Sequence, residues 1–339
     1  MEIISARVGT PETEPWLARW FSGWSDVHDA ALSHGRPRPT LWSVEERLVA
    51  LRRTERSHST VVLAAVEAGQ VVGGASLELP VLDNLSVAHV SVVVAPGARR
   101  QGVGQALLEA VRDEARAAGR TSLMTQTERP ADVGQDGWPG CAFAASAGLS
   151  MRLENVRRDL AVPMPNGRRG RLEAEAAAGA ADYTLDVWEG PTPDPARHAA
   201  LVARMTTDAP LGALDYEPEA WDAERVVSDQ QRQVAQGRRW WTAVATDPAG
   251  EWVGFSELGW SAHMPERFWQ WDTLVVTEHR GHRLGLALKL ATLAAAGREL
   301  PGAGVVHTWN AGFNAPMVAV NEAMGYQVAE VLEEWQGPV

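Results

Sequence analysis

Cysteine and tyrosine are scarce in this sequence, which has one cysteine, Cys141, and three tyrosines among 339 residues. One cysteine excludes an internal disulfide framework and any metal site built from several thiolates, so we expect a buried, inert thiol and no bound metal. No apolar run approaches the 18 residues of a membrane-spanning helix, and the first residues lack the basic and apolar segments of a signal peptide. These absences predict a cytoplasmic protein with no membrane partner.

Positive charge is also scarce, since 31 Lys and Arg stand against 43 Asp and Glu and give a net charge of −12. A general nucleic-acid binder needs a basic surface, so no nucleic-acid partner is expected, whereas the charge is compatible with a cationic substrate such as an amine. Tryptophan is abundant, with 15 residues. We expect these residues to pack mainly in the core, and an aromatic-lined substrate pocket is the alternative.

One pattern of strand, loop and helix occurs twice. The first copy is "VSVVVAP" followed by "GARRQGVGQALLEAV" (97–111), and the second is "WDTLVV" followed closely by "EHRGHRLGLALKLAT" (278–292). A helix that begins at a strand end directs unpaired backbone N–H groups and the positive end of its dipole at whatever lies in front of it. Both corners therefore predict a site for a phosphate or pyrophosphate.

The order of predicted elements around these corners repeats over half of the chain. Each half reads as a strand, two helices, three strands, a helix, a strand, a short helix and a last strand. This order predicts an α/β domain with a mixed, mostly antiparallel sheet flanked by helices. An alanine-rich, charged stretch, residues 165–181, is predicted as the linker between domains 1–164 and 182–339.

Three kinds of phosphate-binding corner compete for the repeated pattern. A Rossmann fingerprint needs the G-x-G-x-x-G spacing and a P-loop needs G-K-[ST], and the corners have neither. The spacing Arg99-x-x-Gly102-x-Gly104 after a strand resembles instead the pyrophosphate loop of the GNAT superfamily of N-acetyltransferases. The second half resembles the same superfamily at "DTLVVTEHRGHRLGLALK" and "NAGFNAPMVAVNEAMGY", so nearly the whole chain resembles two tandem GNAT-like domains.

The resemblance implies acetyl-CoA as co-substrate, held by both loops. The coenzyme-binding residues that it implies are Val93, Val94, Arg99, Arg100, Gly102, Val103 and Gly104 in the first half, and Val275, Val276, Arg280, Gly281, His282, Arg283, Leu284, Gly285 and Asn314 in the second.

The sequence departs from the family pattern at three points. Arg283 stands where the family usually has glycine, and we expect its side chain to grip the phosphates. The first half lacks the asparagine of the family's fourth-helix motif. The tyrosine that often protonates the leaving thiolate falls at Ala144 and Asn321, and neither side chain can act as that acid.

Catalysis is expected in the second half, on the strand that leads into its loop. Asp272 is the candidate base there, and Glu322 and Glu257 are the other candidate carboxylates. A backbone N–H at Val275 or Val276 is the candidate donor to the oxyanion.

The position of Asp272 depends on the local course of its strand. Side-chain alternation counted back from the loop places Trp271, rather than Asp272, at the family's usual base position unless a β-bulge intervenes. Without a bulge, Asp272 has a structural hydrogen-bonding or capping role. His279 and His282 are expected to face solvent or phosphate.

Together these features predict a GNAT-type N-acetyltransferase that moves an acetyl group from acetyl-CoA to a primary amine of a small molecule by direct attack. The alternative is a non-catalytic acyl-CoA-binding sensor or interaction protein, which the missing tyrosines favour. The second half is expected to catalyse, and the first half to bind coenzyme without doing chemistry. A monomer or a homodimer is expected.

Overall fold

The computed structural model describes residues 1–208 and 211–339, which divide into two compact units. Unit 1 consists of Met1–Leu153, Gly212–Glu217 and Leu332–Val339, and unit 2 consists of Glu154–Leu211 and Pro218–Val331. The units therefore do not coincide with the predicted domains 1–164 and 182–339.

Unit 1 is built on a mixed sheet with helices on both faces. Its elements are β1 (Glu2–Arg7), α1 (Thr13–Ser33), α2 (Val44–Arg52), β2 (His58–Glu67), β3 (Gln70–Pro80), β4 (Val87–Val94), α3 (Val103–Ala117), β5 (Ser122–Pro130) and α4 (Pro139–Ser146). Strands β1 to β4 pair antiparallel in chain order, and β4 pairs parallel with β5. Alternate residues of β2 face opposite sides, because Val61 and Leu63 pack with α3 whereas Val62 and Ala64 pack with α1.

Unit 2 has the same arrangement. Its elements are β6 (Ser150–Val162), α5 (Asn166–Gly179), β7 (Thr184–Glu189), α6 (Pro195–Ala203), α7 (Met205–Asp208), α8 (Ala223–Ala235), β8 (Arg238–Thr246), β9 (Trp252–Ser261), β10 (Arg267–Val275), α9 (Leu284–Glu299), β11 (Gly304–Ala311), α10 (Ala315–Met324) and β12 (Gln327–Pro338). The strand order is β6-β11-β10-β9-β8-β7. Among the described residues, β10 and β11 pair parallel and the other neighbours in this order pair antiparallel. The predicted α/β class, with mixed and mostly antiparallel strands between helices, is confirmed.

The closing strands of the two sequence halves are exchanged. All of β6 comes from the first half of the sequence, yet the part from Glu154 on belongs to unit 2, where β6 pairs antiparallel with β11 from Asn155 to Val162. The end of β12, from Leu332 on, belongs to unit 1, where it lies next to β5. Trp335 of this segment packs into the core of unit 1.

Most of residues 165–181, which were predicted as a linker, form helix α5 within unit 2. Leu172 and Ala176 are buried in the core of that unit. Alanine, arginine and glutamate are strong helix formers, so the composition that suggested a linker suits equally a helix with one narrow buried edge.

Tryptophan and the single cysteine lie largely where core packing predicts. Cys141 is buried, and desolvation raises the pKa of its thiol to about 11. The buried tryptophans are Trp16, Trp20, Trp24, Trp240, Trp241, Trp269 and Trp335. In the described part of the chain, no helix combines the length and apolar character needed to cross a membrane.

Candidate active site

Two loops of the same backbone design precede α3 and α9. After β4 a 3-10 turn leads to an extended residue, Arg99, and after β10 another leads to Arg280. Left-handed residues follow at matching positions, namely Arg100 (φ 64°) and Gly102 (φ 86°) in the first loop, and Gly281 (φ 91°) and Arg283 (φ 54°) in the second. Each loop thus has glycine at one left-handed position and arginine at the other, where an L-residue costs roughly 1–2 kcal/mol.

The first arginine of each loop binds backbone carbonyls. Its guanidinium donates one hydrogen bond to the carbonyl oxygen five residues earlier and another to a carbonyl oxygen at or near the end of a preceding helix. Arg99 donates to Val94 (3.4 Å) and Ala31 (3.3 Å). Arg280 donates to Val275 (3.1 Å) and Asp208 (3.0 Å). These bonds hold each loop against the end of its strand, so the arginine acts on a ligand mainly through the position of the loop.

The N–H groups that open each helix remain available to a ligand. The first intrahelical bonds run from Ala106 to Gly102 in α3 and from Ala287 to Arg283 in α9, both at 3.0 Å. The amides without a partner inside the helix are therefore those of Val103, Gly104 and Gln105, and of Leu284, Gly285 and Leu286. A methyl group added to Gly285 would have no heavy atom of the described chain within 4 Å. The approach to the second loop is open at this point.

Three side chains of the second loop are engaged outside it. Arg283 pairs with Glu175 of α5 at 2.7 Å, so the expected grip on phosphates would require this pair to open. His279 Nδ1 lies 3.0 Å from the hydroxyl of Tyr183, and the ring of His282 packs against the same tyrosine with centroids 5.4 Å apart.

A gap opens beside the strand that leads into each loop. Strand β4 pairs with β5 from Val87↔Ser122 to His89↔Met124, and β10 pairs with β11 from Arg267↔Val305 to Gln270↔Thr308. Both strands continue for several residues beyond this pairing. We call the spaces that follow the β4–β5 gap and the β10–β11 gap.

One backbone N–H at the end of each strand faces its gap. The residues that directly follow β10 and β4 are Val276 and Ala95. Their N–H groups donate to carbonyl oxygens of the neighbouring antiparallel strand, Val276 to Val253 and Ala95 to Val72, both at 3.0 Å. Because successive N–H groups along a strand alternate sides, those of Val275 and Val94 point the other way, into the gaps. The side chains of Val276 and Val93 are buried.

Strand β10 carries a bulge between Gln270 and Thr273, where its pairing with β9 shifts by one residue. The bulge is the feature on which the role of Asp272 depended in the sequence analysis, because it breaks the strict alternation of side chains. Trp271 lies over Gly259 of β9, so closely that an added methyl group on that glycine would come within 2.4 Å of the indole. Glycine is therefore the residue that makes room for Trp271.

Asp272 and Glu257 form an acidic pair at the bulge. Asp272 is accessible to water, yet desolvation by the surrounding protein, together with the negative charges of Glu219 and Asp229, raises its pKa to about 6. Glu257 on β9 accepts a hydrogen bond from Thr242 Oγ1 at 2.8 Å, and desolvation and the charge of Asp272 raise its pKa to about 8. A cation bound beside these carboxyls would favour the ionised form of both acids.

His198 of α6 is a basic side chain that lies close to Glu257. Its Nε2 lies 3.7 Å from a carboxyl oxygen of Glu257, and its Nδ1 is buried without a hydrogen-bond partner. Desolvation lowers the pKa of this histidine to about 4, so the ring is neutral at pH 7 and leaves the acidic pair uncompensated. Across residues 1–208 and 211–339, no cluster of three or more His, Cys, Asp or Glu side chains is arranged to hold a metal ion.

The acidic pair has no equivalent in unit 1. Asp272 lies eight residues before Arg280, and the residue eight before Arg99 is Ser91. Ser91 pairs with Ser76 of β3, and the recorded β3–β4 register contains no bulge. Serine thus stands at both positions that carry carboxyls in unit 2.

Helix α10 places a buried network of hydrogen-bonded polar side chains where the family tyrosine was expected. Asn321 is fully buried, accepts a hydrogen bond from Lys289 Nζ at 2.8 Å and donates one to Asn310 Oδ1 at 3.0 Å. Desolvation lowers the pKa of Lys289 to about 7. Lys289 was not among the predicted site residues, although it is the only charged residue in the run "LGLALKLATLAAAG".

The remaining predicted residues of α10 lie at its ends. Asn314 caps the helix, since its side chain accepts a hydrogen bond from the N–H of Met317 at 3.4 Å. Glu322 is exposed, and its charge acts on Arg158 rather than on the acidic pair.

Known proteins resemble both parts of this chain. Residues 20–134 match the model of the Acetyltransferase (GNAT) family, and no curated protein matches the sequence. A tandem GNAT protein from the clavulanic acid biosynthesis pathway, solved without AcCoA, is 27% identical, with a TM-score of 0.77 over 99% of this chain and 98% of that one.

Two more distant structures share the fold. A GCN5-related N-acetyltransferase from Sphaerobacter thermophilus is 16% identical, with a TM-score of 0.63 over 99% of this chain and 95% of that one. A putative acetyltransferase from Pyrococcus horikoshii is 11% identical, with a TM-score of 0.58 over 99% of this chain and 89% of that one.

Proposed function

We propose that this chain, a tandem of two GNAT-like domains with the family character of an N-acetyltransferase, moves an acetyl group from acetyl-CoA to a primary amine of a small cationic molecule. The chemistry is assigned to unit 2. The observation that carries this proposal is the bulge of β10, where Asp272 interacts electrostatically with Glu257 of the adjoining strand β9.

The second loop is proposed to hold the coenzyme. Its pyrophosphate would accept hydrogen bonds from the free amides of Leu284, Gly285 and Leu286 and gain from the positive end of the α9 dipole. Arg280 keeps the loop in place through its bonds to two carbonyls. The thioester arm would then enter the β10–β11 gap, where the N–H of Val275 faces it.

The acceptor is proposed to bind at the acidic pair. A net charge of −12 favours the approach of a cation, and Asp272 supplies a local negative charge beside the largely protonated Glu257 that the neutral His198 does not offset. An ammonium group held there would lose its proton to Asp272, which is largely ionised at neutral pH with a pKa of about 6.

Direct attack then completes the reaction. The amine lone pair forms a bond to the thioester carbonyl carbon, and the π electrons move to the oxygen, which the N–H of Val275 stabilises. Collapse of this intermediate breaks the C–S bond and releases the thiolate of CoA. The nitrogen gives its second proton to water, which leaves the neutral amide, and the thiolate takes a proton from water. A cysteinyl intermediate is disfavoured, because the single cysteine, Cys141, lies in unit 1 and has a pKa raised to about 11 by burial.

A second candidate is an acyl-CoA-binding sensor that has lost catalysis. It is favoured by one observation: amide and methyl side chains, those of Asn321 and Ala144, stand where the family tyrosine would protonate the thiolate. Such a sensor would bind acetyl-CoA through the same loop without turning it over.

Release of free CoA thiol from acetyl-CoA, measured across a panel of small mono- and polyamines, separates the two candidates. We expect release that depends on the amine and that disappears in Gly285→Glu, which puts bulk and negative charge against the phosphates. Tight binding of acetyl-CoA with no amine-dependent release across the panel would favour the sensor. Absence of binding would contradict both.

A further inference from the structure

We propose that Arg158 stabilises the thiolate of CoA as it leaves, in the place of the missing family tyrosine, and that Asn310, Asn321 and Lys289 position its guanidinium. The inference rests on the proposed function for the ligand and the reaction. Its main readout is the binding of free CoA, which requires no turnover and is therefore judged separately from that function.

Arg158 is a buried cation without a paired carboxylate. The residue is 7% exposed, and its Nη1 donates a hydrogen bond to Asn310 Oδ1 at 3.2 Å. Among the described residues no carboxylate forms an ion pair with it, and the charge of Glu322 acts on it from farther away. The preceding residue, Arg157, pairs by contrast with two buried carboxylates. Because a buried charge is costly unless it is paired, Arg158 points to an anionic group of a ligand.

The guanidinium of Arg158 lies at the inner end of the β10–β11 gap. Arg158 on β6 pairs with Thr308 on β11, and Thr308 pairs with Gln270 in the last main-chain pair before the gap. Asn310 follows two residues later and borders the gap, so its hydrogen bond brings the guanidinium of Arg158 over β11 at this point. The loop before α9 is at the other end of the gap. A thioester arm that enters from that loop therefore brings its sulfur towards Arg158.

Arg158 and the acidic pair lie on opposite faces of the sheet. Leu258 of β9, Gln270 of β10, Thr308 of β11 and Arg158 of β6 are register partners that form one row across four strands. Side chains in such a row share a face, and Glu257 next to Leu258 points to the other face. An acyl carbon in the gap would thus have the amine and its base on one face and the guanidinium on the other.

This arrangement suits the departure of the thiolate. When the tetrahedral intermediate collapses, the electron pair of the C–S bond moves to sulfur, and an N–H of Arg158 donates a hydrogen bond to the anion. The guanidinium keeps its proton, because arginine stays charged in proteins, and the thiolate takes its proton from water. A cation within about 4–6 Å lowers the pKa of an acid by roughly 1–3 units, so the bound thiolate is favoured over the thiol.

The asparagines and the lysine act through Arg158 and do not reach the ligand. Oδ1 of Asn310 accepts hydrogen bonds from both Arg158 and Asn321 Nδ2, which fixes the amide that holds the guanidinium. Asn321 is itself fixed by Lys289, whose Nζ donates to its Oδ1 at 2.8 Å. Asn321 and Lys289 are at most 1% exposed, so they are positioning residues.

Unit 1 has a neutral group at the equivalent position. Thr127 and Asn310 correspond, because each lies five residues after the first residue of its strand that pairs with β4 or β10. Asn310 accepts its hydrogen bond from Arg158 of β6, whereas Thr127 Oγ1 accepts one from Trp335 Nε1 of β12 at 3.1 Å. An indole carries no charge, so this cation is found in the unit that has the acidic pair.

Calorimetry with CoA and with desulfo-CoA, which lacks the sulfur, tests the inference in the full-length chain. Both ligands share the phosphates, so the titration of Lys289, Glu322, Glu257 and Asp272 around the site cancels in the ratio of their affinities. A free thiol has a pKa of about 8.5, and a bound thiolate favoured by 1–3 units should raise the preference for CoA roughly 10- to 100-fold between pH 6 and pH 9.

Variants assign this preference to its source. We expect it to fall below about threefold in Arg158→Gln and to be retained in part in Arg158→Lys, which keeps the charge. It should be absent in Gly285→Glu, which removes the coenzyme from unit 2. Arg298→Gln, which removes an exposed arginine near the far end of α9, should leave it unchanged. Circular dichroism identifies variants that fail to fold.

Turnover supplies a second readout. A hydrogen bond to a charged group contributes roughly 10- to 100-fold, so Arg158→Gln should lower kcat by this factor with KM for acetyl-CoA nearly unchanged. Asn321→Leu should lower kcat and the preference for CoA less than Arg158→Gln does, because it loosens the guanidinium without removing it. Arg298→Gln should change neither kcat nor KM.

Three results would overturn the inference. The first is a wild-type chain that binds CoA in unit 2 with no pH-dependent preference over desulfo-CoA, a result that needs no variant. The second is a folded Arg158→Gln chain that keeps the preference. The third is a raised KM with unchanged kcat in that variant, which would make Arg158 a binding residue. Each leaves amine-dependent thiol release in place, whereas loss of that release in the wild type would count against the proposed function itself.

Discussion

Replacement of Asp272 by asparagine is the sharpest test of the proposed chemistry. The amide keeps the shape of the side chain at the β10 bulge and removes its charge. The carboxyl has a pKa raised to about 6, first by desolvation and then by Glu219 and Asp229, so a base at this position is active in its ionised form above that pH. Loss of a positioned base reduces the rate by ~10²–10⁴-fold.

The pH dependence gives a second, independent magnitude. With a pKa of about 6, the carboxylate is about nine-tenths ionised at pH 7 and about one-tenth ionised at pH 5, a roughly tenfold difference. Acceptor ionisation changes the rates of wild type and variant alike, so it cancels in their ratio. We expect the ratio of wild-type to Asp272→Asn kcat/KM to fall about tenfold between pH 7 and pH 5.

Thiol release from acetyl-CoA with the best amine of the panel measures both effects. Glu257→Gln is the first control, since Glu257 is uncharged near pH 6 and its replacement should leave the decrease in kcat/KM between pH 7 and pH 5 in place. Ser91→Ala, at the corresponding position of unit 1, is the second and should leave the rate unchanged. A folded Asp272→Asn chain with unchanged kcat/KM, or with a ratio that does not depend on pH, would show that Asp272 is a structural residue.

Three further predictions concern binding and stability. Gly285→Glu should abolish acetyl-CoA affinity measured by calorimetry, whereas Gly297→Glu near the other end of α9, also in open space, should not; equal effects would refute the phosphate assignment. Glu333→Gln should lower the free energy of unfolding by ~3–5 kcal/mol in urea titrations, because it breaks the buried pair with Arg129 at 2.8 Å; a loss below about 1 kcal/mol would refute this. Desolvation lowers the pKa of Lys289 from 10.5 to about 7, so between these pH values the unfolded chain binds the proton more readily than the folded chain. The stability of the wild type should therefore rise between pH 7 and pH 10 relative to that of Lys289→Met. Curves of Tm against pH that run parallel for the two chains would contradict this.

The two corner loops could be predicted from sequence because their signals are local. Strand, turn and helix follow one another within about fifteen residues. The α/β class that they indicated is confirmed, and residues 20–134 match the model of the GNAT family. The absence of a carboxylate from β4 of unit 1 was also predictable, since this prediction requires only the residue types of one strand.

The rest of the site depends on contacts between residues distant in sequence. A bulge at Trp271 and Asp272 is defined only by pairing with β9, and strict alternation placed the tryptophan where the acid was needed. The ring of Phe143 packs beside Gly104, although the two residues lie about forty positions apart in sequence. The same reason hid the exchange of β6 and β12, because a strand pattern does not specify its partner.

That exchange has a consequence for how the protein is made. Unit 1 needs Leu332–Val339, including the core residue Trp335, so it stays incomplete until these residues have been synthesised. At about 5–20 residues per second, translation from residue 153 to residue 339 takes roughly 10–40 s, during which the first 153 residues lack their last strand. The earlier-made unit is thus finished last, and a ribosome that stalls anywhere in the second half releases a product in which unit 1 lacks that strand.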